Sequence, residues 1–239
     1  MLHPVYSRPW RQGRIMDTAT FIIQAGYGEE SSVRNAASEN PALTAAHSES
    51  GISVIASTVY AGRLALAREL ASHRDDLDLF EAACLGEQLR VSELVERDPG
   101  VLDTFSPDGF SVLGLAAFFG HLDLLSMLLE LGASLEAPAR NPMRVRPLHS
   151  AVAHGDPEIA FEAARRLLKA GANPNILQQG GMTPLHEAVY NANFELVDLL
   201  LDHGANPHLS NDEGDSPLQL SQARGEAEIT SRMAAVRVD

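Results

Sequence analysis

Nine histidines and one cysteine are the side chains of this 239-residue chain best suited to metal or nucleophilic chemistry. His149 and His154 stand five residues apart, as do His203 and His208. At 3.6 residues per turn that spacing rotates the second imidazole well off the first one's helix face. No H-E-x-x-H pattern and no second cysteine accompany them, so a zinc site is not indicated. Cys84 is flanked by Ala82, Ala83 and Leu85, with no adjacent cation to favour the thiolate, and reads as a small packing residue. Gly180-Gly181 turns into a helix but lacks the lysine of a phosphate-binding loop. No constellation of nucleophile, base and oxyanion donors emerges, so the chain is expected to be non-catalytic and to need no cofactor or metal.

The elements that would have to position any such group repeat along the chain. Thr183-Pro184-Leu185-His186 is followed, one helix pair later, by Gly204-Ala205-Asn206-Pro207. Val145-Arg146-Pro147-Leu148-His149 leads likewise to Gly171-Ala172-Asn173-Pro174-Asn175, and Gly109-Phe110-Ser111-Val112-Leu113 to Gly132-Ala133-Ser134. Asp215-Ser216-Pro217-Leu218 opens another copy. Val112, Pro147, Pro184 and Pro217 are spaced by 35, 37 and 33 residues. Thr183 supplies an N-cap oxygen, and Pro184 takes the first helical position, where a missing N–H costs nothing. Gly204 follows the last apolar residue of the second helix, where a left-handed cap ends it. Neither helix can bury its apolar face without neighbours, so such units must stack.

A period near 33 with this signature resembles the ankyrin repeat, a β-turn plus two antiparallel helices. The resemblance covers about residues 50 to 230. It implies an all-α fold of helix-turn-helix repeats with β-hairpin loops, an ankyrin solenoid of about six units. The loops between paired helices fall at Gly62, Gly86, Gly120, Gly155, Ala192 and Gly225. Gly62 to Gly86 is short, which predicts a hairpin trimmed to a tight turn at Ser72 to Asp76. Pro147 to Gly171 spans 24 residues against 20 from Pro184 to Gly204, which predicts about one extra helical turn in that unit. In the family, histidines at the positions of His149 and His186 are structural hydrogen-bonding residues near the helix start.

The expected organisation is a largely disordered segment over 1–48, a repeat domain over 49–235 and a tail over 236–239. Pro4, Pro9, Pro41 and a polar stretch from Gly26 to Asn40 interrupt periodicity in the first part, although Thr20-Phe21-Ile22-Ile23 can pack on the first unit. Arg8, Arg11 and Arg14 faintly suggest a transit peptide, but Met16 is the preferred start of translation, and no continuous apolar stretch marks a secretory signal. A single cysteine suits a reducing, cytoplasmic setting. The net charge is −14, of which residues 51–239 carry −13 from 14 basic and 27 acidic residues. That argues against nucleic acid and anionic membrane as partners and permits a basic protein.

The resemblance therefore implies a non-catalytic, monomeric protein-binding module, an adaptor or an inhibitor, that uses a concave face. Mapped unit by unit, one row of that face runs through Cys84 and Leu85, Phe118 and Phe119, Ala153 and His154, then Tyr190 and Asn191. A second row runs through Glu81, Leu115, Ser150 and Glu187. Aromatic residues are enriched among binding hot spots, which singles out Phe118, Phe119 and Tyr190. The hairpin at 138–146 is the longest tip and carries Arg140, Arg144 and Arg146 on an otherwise acidic chain. These arginines can receive carboxylates of a partner or pair internally with an acid such as Glu136. A hydrolytic or metal-dependent site in the extended 147–171 repeat, and self-association through an end unit, are the alternatives.

Overall fold

The computed structural model describes residues 16–236, which hold fourteen α-helices and three short 3-10 turns. By internal contacts the chain divides into two compact units. One comprises the residues up to Arg97 together with Ser106–Asp108; the other comprises Asp98–Phe105 and the residues from Gly109 onward.

In the first unit the helices are α1 (Thr18–Tyr27), α2 (Glu30–Glu39), α3 (Val54–Tyr60), α4 (Leu64–Ala71), α5 (Leu79–Leu85) and α6 (Gln88–Arg97). A 3-10 turn at Pro41–Ala45 joins α2 to the connection before α3. Helix α1 packs on α3, and α3 packs in turn on α4 and α5. The described part of the segment expected to lack order is thus helical. Phe21, Ala25, Val33, Ala37 and Leu43 are buried, and burial of an apolar stripe holds short helices that would be marginal alone. Arg63 reinforces the arrangement by donating to the carbonyls of Gln24, Ala25 and Gly28 at the end of α1, where helical carbonyls lack internal partners. The segment Thr20–Ile23 does pack on the first repeat, as part of α1. The expectations about Arg8, Arg11, Arg14 and the start of the chain fall outside the described residues.

The second unit contains α7 (Val112–Phe118), α8 (Leu122–Glu130), α9 (Pro147–Val152), α10 (Pro157–Lys169), α11 (Pro184–Tyr190), α12 (Phe194–Asp202), α13 (Pro217–Arg224) and α14 (Ala227–Ala234). First helices stack in the order α7, α9, α11, α13, and second helices in the order α8, α10, α12, α14. The six helix pairs from α3/α4 to α13/α14 turn at the six loop positions read from the sequence. Ser111, Thr183 and Ser216 accept from the amides of Gly114, His186 and Gln219, so the N-caps are where the repeat motif puts them. Helix α10 has 13 residues against nine in α8 and α12, the expected extra turn. Its Asp156 cap and Pro157 set the start. The hairpins between pairs form no named strands; isolated antiparallel bridges join His47 to Ser53 in the first unit and Phe105 to Ser111 in the second.

Leucines and alanines fill the second unit's core. Leu113, Leu115, Leu124, Leu125, Leu128, Leu148 and Leu167 are all at most 1 % exposed. Loss of one such side chain to alanine costs about 2–5 kcal/mol, so the stack is held chiefly by these layers. Among the described residues no helix is long and apolar enough to cross a membrane.

Candidate functional site

Four of the six first helices, α5, α9, α11 and α13, carry a polar side chain at their third position, and in the second unit His149 and His186 do structural work there. The Thr183 amide donates to His186 Nδ1 at 3.0 Å, so the ring's proton sits on Nε2, which donates to the Asp215 carbonyl at 3.1 Å. His149 repeats the pattern: its Nδ1 accepts from the Arg146 amide at 3.4 Å, and its Nε2 donates to the Met182 carbonyl at 3.2 Å. Both rings are buried and span one repeat to the next hairpin. Burial pushes His149 down to about 4, and the nearby Arg146 charge acts the same way. Burial also lowers His186. With both nitrogens bonded to backbone, neither ring offers a lone pair to a metal.

The rings of His154 and His203 are also engaged locally. His154 Nδ1 accepts from the Asp156 amide at 3.0 Å, and His203 Nδ1 lies 2.8 Å from the Leu199 carbonyl. The close group of ligand-type side chains is elsewhere, in the first unit: His47, Asp78 and Glu81 bring atoms within 4.8 Å of one another. Sequence spacing could not reveal it, because 31 residues separate His47 from Asp78. Its members already have partners. Glu81 Oε2 accepts from the Asp78 amide at 3.1 Å, and Oε1 pairs with Arg74 at 2.7 Å. Asp78 caps α5 through the amides of Phe80 and Glu81. Cys84 is buried, and burial raises its thiol pKa, so it stays protonated.

The helix-end row divides. Leu85 is 1 % exposed inside the first unit and presents nothing to a partner. In the second unit, Phe118 is 41 % and Tyr190 is 46 % exposed, at the last residues of α7 and α11. Asn191 and Ala153 are exposed, and His154 is half-buried. Phe119 is half-buried and meets Phe118 edge to face, with ring centroids 5.2 Å apart. Phe118 is therefore the more accessible ring. The second row does not form an exposed surface: Glu81, Leu115 and Ser150 are buried. In Leu115 and Ser150 this follows from the close stacking of α7 on α9. Glu187 of that row is half-buried, and burial raises its carboxyl pKa.

The 138–146 hairpin keeps its arginines apart from the acids. Arg140 and Arg144 are exposed and Arg146 half-buried. The Arg140 guanidinium lies 4.0 Å over the Phe105 ring, and Arg146 Nη1 donates to the Leu177 carbonyl. Glu136, a possible internal partner by sequence, instead accepts from the Asn173 amide at 2.9 Å. A cavity of about 250 Å³ beside this tip is lined by Phe105, Ser111, Leu113, Ser134 and Arg140.

Comparison with known proteins places these elements in a family. A model of the ankyrin repeat matches residues 108–140 and 146–178, and a model of multiple ankyrin repeats matches 167–221. A rice protein (Oryza sativa subsp. japonica) named "Probable E3 ubiquitin-protein ligase XBOS31" is 34 % identical over 123 residues, covering 51 % of this chain and 26 % of its own length. Rice "E3 ubiquitin-protein ligase XB3" is 35 % identical over 100 residues, 41 % of this chain and 21 % of the relative. Human "Rabankyrin-5" is 30 % identical over 129 residues, 52 % of this chain and 11 % of the relative. The chain spans about a quarter or less of the length of these relatives.

Proposed function

This chain is an ankyrin-repeat protein, and on that premise we propose that it is a non-catalytic adaptor or inhibitor that binds a basic protein through the helix-end row of its second unit. Ankyrin repeats generally mediate protein–protein interactions, and the family is typically non-catalytic. The observation that carries the reading is the pair of exposed rings, Phe118 and Tyr190, on first helices flanking α9. Leu131, Met143, Leu177 and Phe194 of the same unit are comparably exposed, but these two rings stand at the equivalent last position of first helices and so belong to one row. Arginine or lysine of a partner gains by stacking on such rings. Glu187, one turn before Asn191 on α11, adds a carboxylate whose ionised form is disfavoured by burial and would be stabilised by a partner's cation.

The ligase named in the plant relatives belongs to far longer proteins and is not carried over to this chain. The test is affinity capture with wild-type protein and with Phe118→Arg combined with Tyr190→Arg, captured proteins being identified by mass spectrometry. Partners enriched by wild type and lost in the double variant, with the helical circular dichroism unchanged, support the row. Equal capture by both proteins would count against it.

A further inference from the structure

The arginines of the 140–146 tip have a different environment from the other described arginines of the second unit. Arg165 and Arg166 are held by Glu162, Arg224 by Glu226, and Arg232 by Asp198 and Asp202. Among the described residues, no carboxylate lies within ion-pair distance of Arg140, Arg144 or Arg146. On a chain of net charge −14, three such cations within seven residues form a local reversal of sign.

The tip is also held in place before anything binds. The Arg140 amide donates to the Gly109 carbonyl at 2.7 Å, and the Gln179 amide donates to the Met143 carbonyl at 2.9 Å, which ties the tip to the turns on both sides. The first contact needs glycine: Gly109 has φ +91°, and a Cβ there would lie 2.8 Å from the Arg140 carbonyl carbon. Asn141 Oδ1 accepts from the amides of Met143 and Arg144 and sets the turn. Phe105 supports the Arg140 guanidinium from below. Beside the arginines, Met143 is 52 % and Leu177 is 49 % exposed, so charge and apolar surface are offered together.

We propose that this tip is a docking surface for an acidic peptide segment of a protein partner, whose carboxylates engage Arg140 and Arg144 and whose apolar side chains cover Met143 and Leu177. Guanidinium forks match carboxylates with two parallel hydrogen bonds, and a pre-positioned fork loses less side-chain freedom on binding. The occupant is short. Asp103 shares the cavity wall with Arg140, and Glu136 stands on the same hairpin, so an extended polyanion would meet like charge on leaving the tip. The inference rests on the reading of the chain as a protein-binding module, but not on the Phe118–Tyr190 row.

Fluorescence anisotropy tests it with a fluorescein-labelled peptide repeating Glu-Leu-Glu-Glu at low salt. Parallel arms use the Gln-for-Glu peptide, its phosphoserine counterpart and oligothymidylate. The expected result is saturable binding of the Glu peptide and none of the Gln peptide. It weakens as salt approaches physiological strength. Arg140→Gln with Arg144→Gln weakens it by about tenfold or more, since two charge-assisted contacts are lost. Arg144→Gln alone, an exposed change with no folding role, weakens it by several-fold. Tyr190→Ala leaves the peptide affinity unchanged, which separates this surface from the helix-end row. Absence of saturable binding, an affinity indifferent to both arginine variants, or binding of the phosphoserine peptide or oligothymidylate in place of the Glu peptide would overturn it.

Discussion

The same position of the repeat is solved differently in the two units. In the second, His149 and His186 accept an N-cap amide on one nitrogen and donate to the next hairpin's carbonyl from the other. In the first, Glu81 accepts the equivalent amide of Asp78, completing a capping box. A neutral imidazole can be donor and acceptor at once; a carboxylate can only accept. Glu81 therefore cannot reach a carbonyl and carries a buried negative charge, met by Arg74 at 2.7 Å with side chains 2 % and 9 % exposed. Arg74 comes from the shortened turn between α4 and α5 and also donates to the Thr44 carbonyl at 3.2 Å. Where the histidine links one repeat to the next without charge, the glutamate closes its own turn and depends on a single cation.

Arg74→Met should break this arrangement most severely. It leaves Glu81 buried and unpaired, and the expected loss is about 3–5 kcal/mol in denaturant unfolding. Adding Glu81→Gln should restore most of that loss, because the charge goes with its partner. If the double variant is no more stable than the single one, the ion pair is not what Arg74 contributes.

The histidine solution should show a pH signature. His149 sits at about 4 when folded against an ordinary value of 6.5, so between these values the unfolded chain binds a proton the folded one refuses. Its contribution is complete above about pH 6.5 and is lost as pH falls toward 4, up to roughly 3 kcal/mol. His186 shifts in the same direction. Comparing unfolding at several pH values with His149→Gln should flatten that slope. An unchanged slope would show that the ring does not carry it.

The smallest effect concerns the loops between paired helices. Gly62, Gly86, Gly120 and Gly225 take positive φ, whereas the equivalent Ala192 is forced to φ 50°. Ala192→Gly should stabilise the second unit by about 0.5–1 kcal/mol in thermal or denaturant unfolding, by relieving a conformation that a Cβ disfavours. Destabilisation would mean that the alanine methyl contributes more than the strain costs.

The repeat itself was legible because its signals are local. The Thr183 cap, Pro147, Pro184 and Pro217 at first helical positions and the positive-φ Gly204 each follow from the chemistry of one turn. Helix α2 was not legible. Val33, Ala36 and Ala37 are a thin apolar stripe in a polar stretch, and its helix forms because that stripe is buried against the rest of the first unit. The surface row was half legible: two adjacent phenylalanines mark a loop end, but their order of exposure depends on how Phe119 turns against Phe118 and His121.

From sequence alone come the fold, the six repeat pairs from α3/α4 to α13/α14, the extra turn of α10 and the acidic character, because periodicity, caps and charge are properties of the chain. Tertiary structure decided which side chains face outward. Leu85 lies inside, Phe118 and Tyr190 outside, because the same helix end is covered or left open by its neighbours. It also decided the state of the arginine tip. Glu136 is spent on the Asn173 amide one repeat away, a bond that unites residues 37 apart and leaves Arg140 and Arg144 without a carboxylate. Hydrogen-bond competition of that kind is settled by distance in space, and a linear sequence does not hold it.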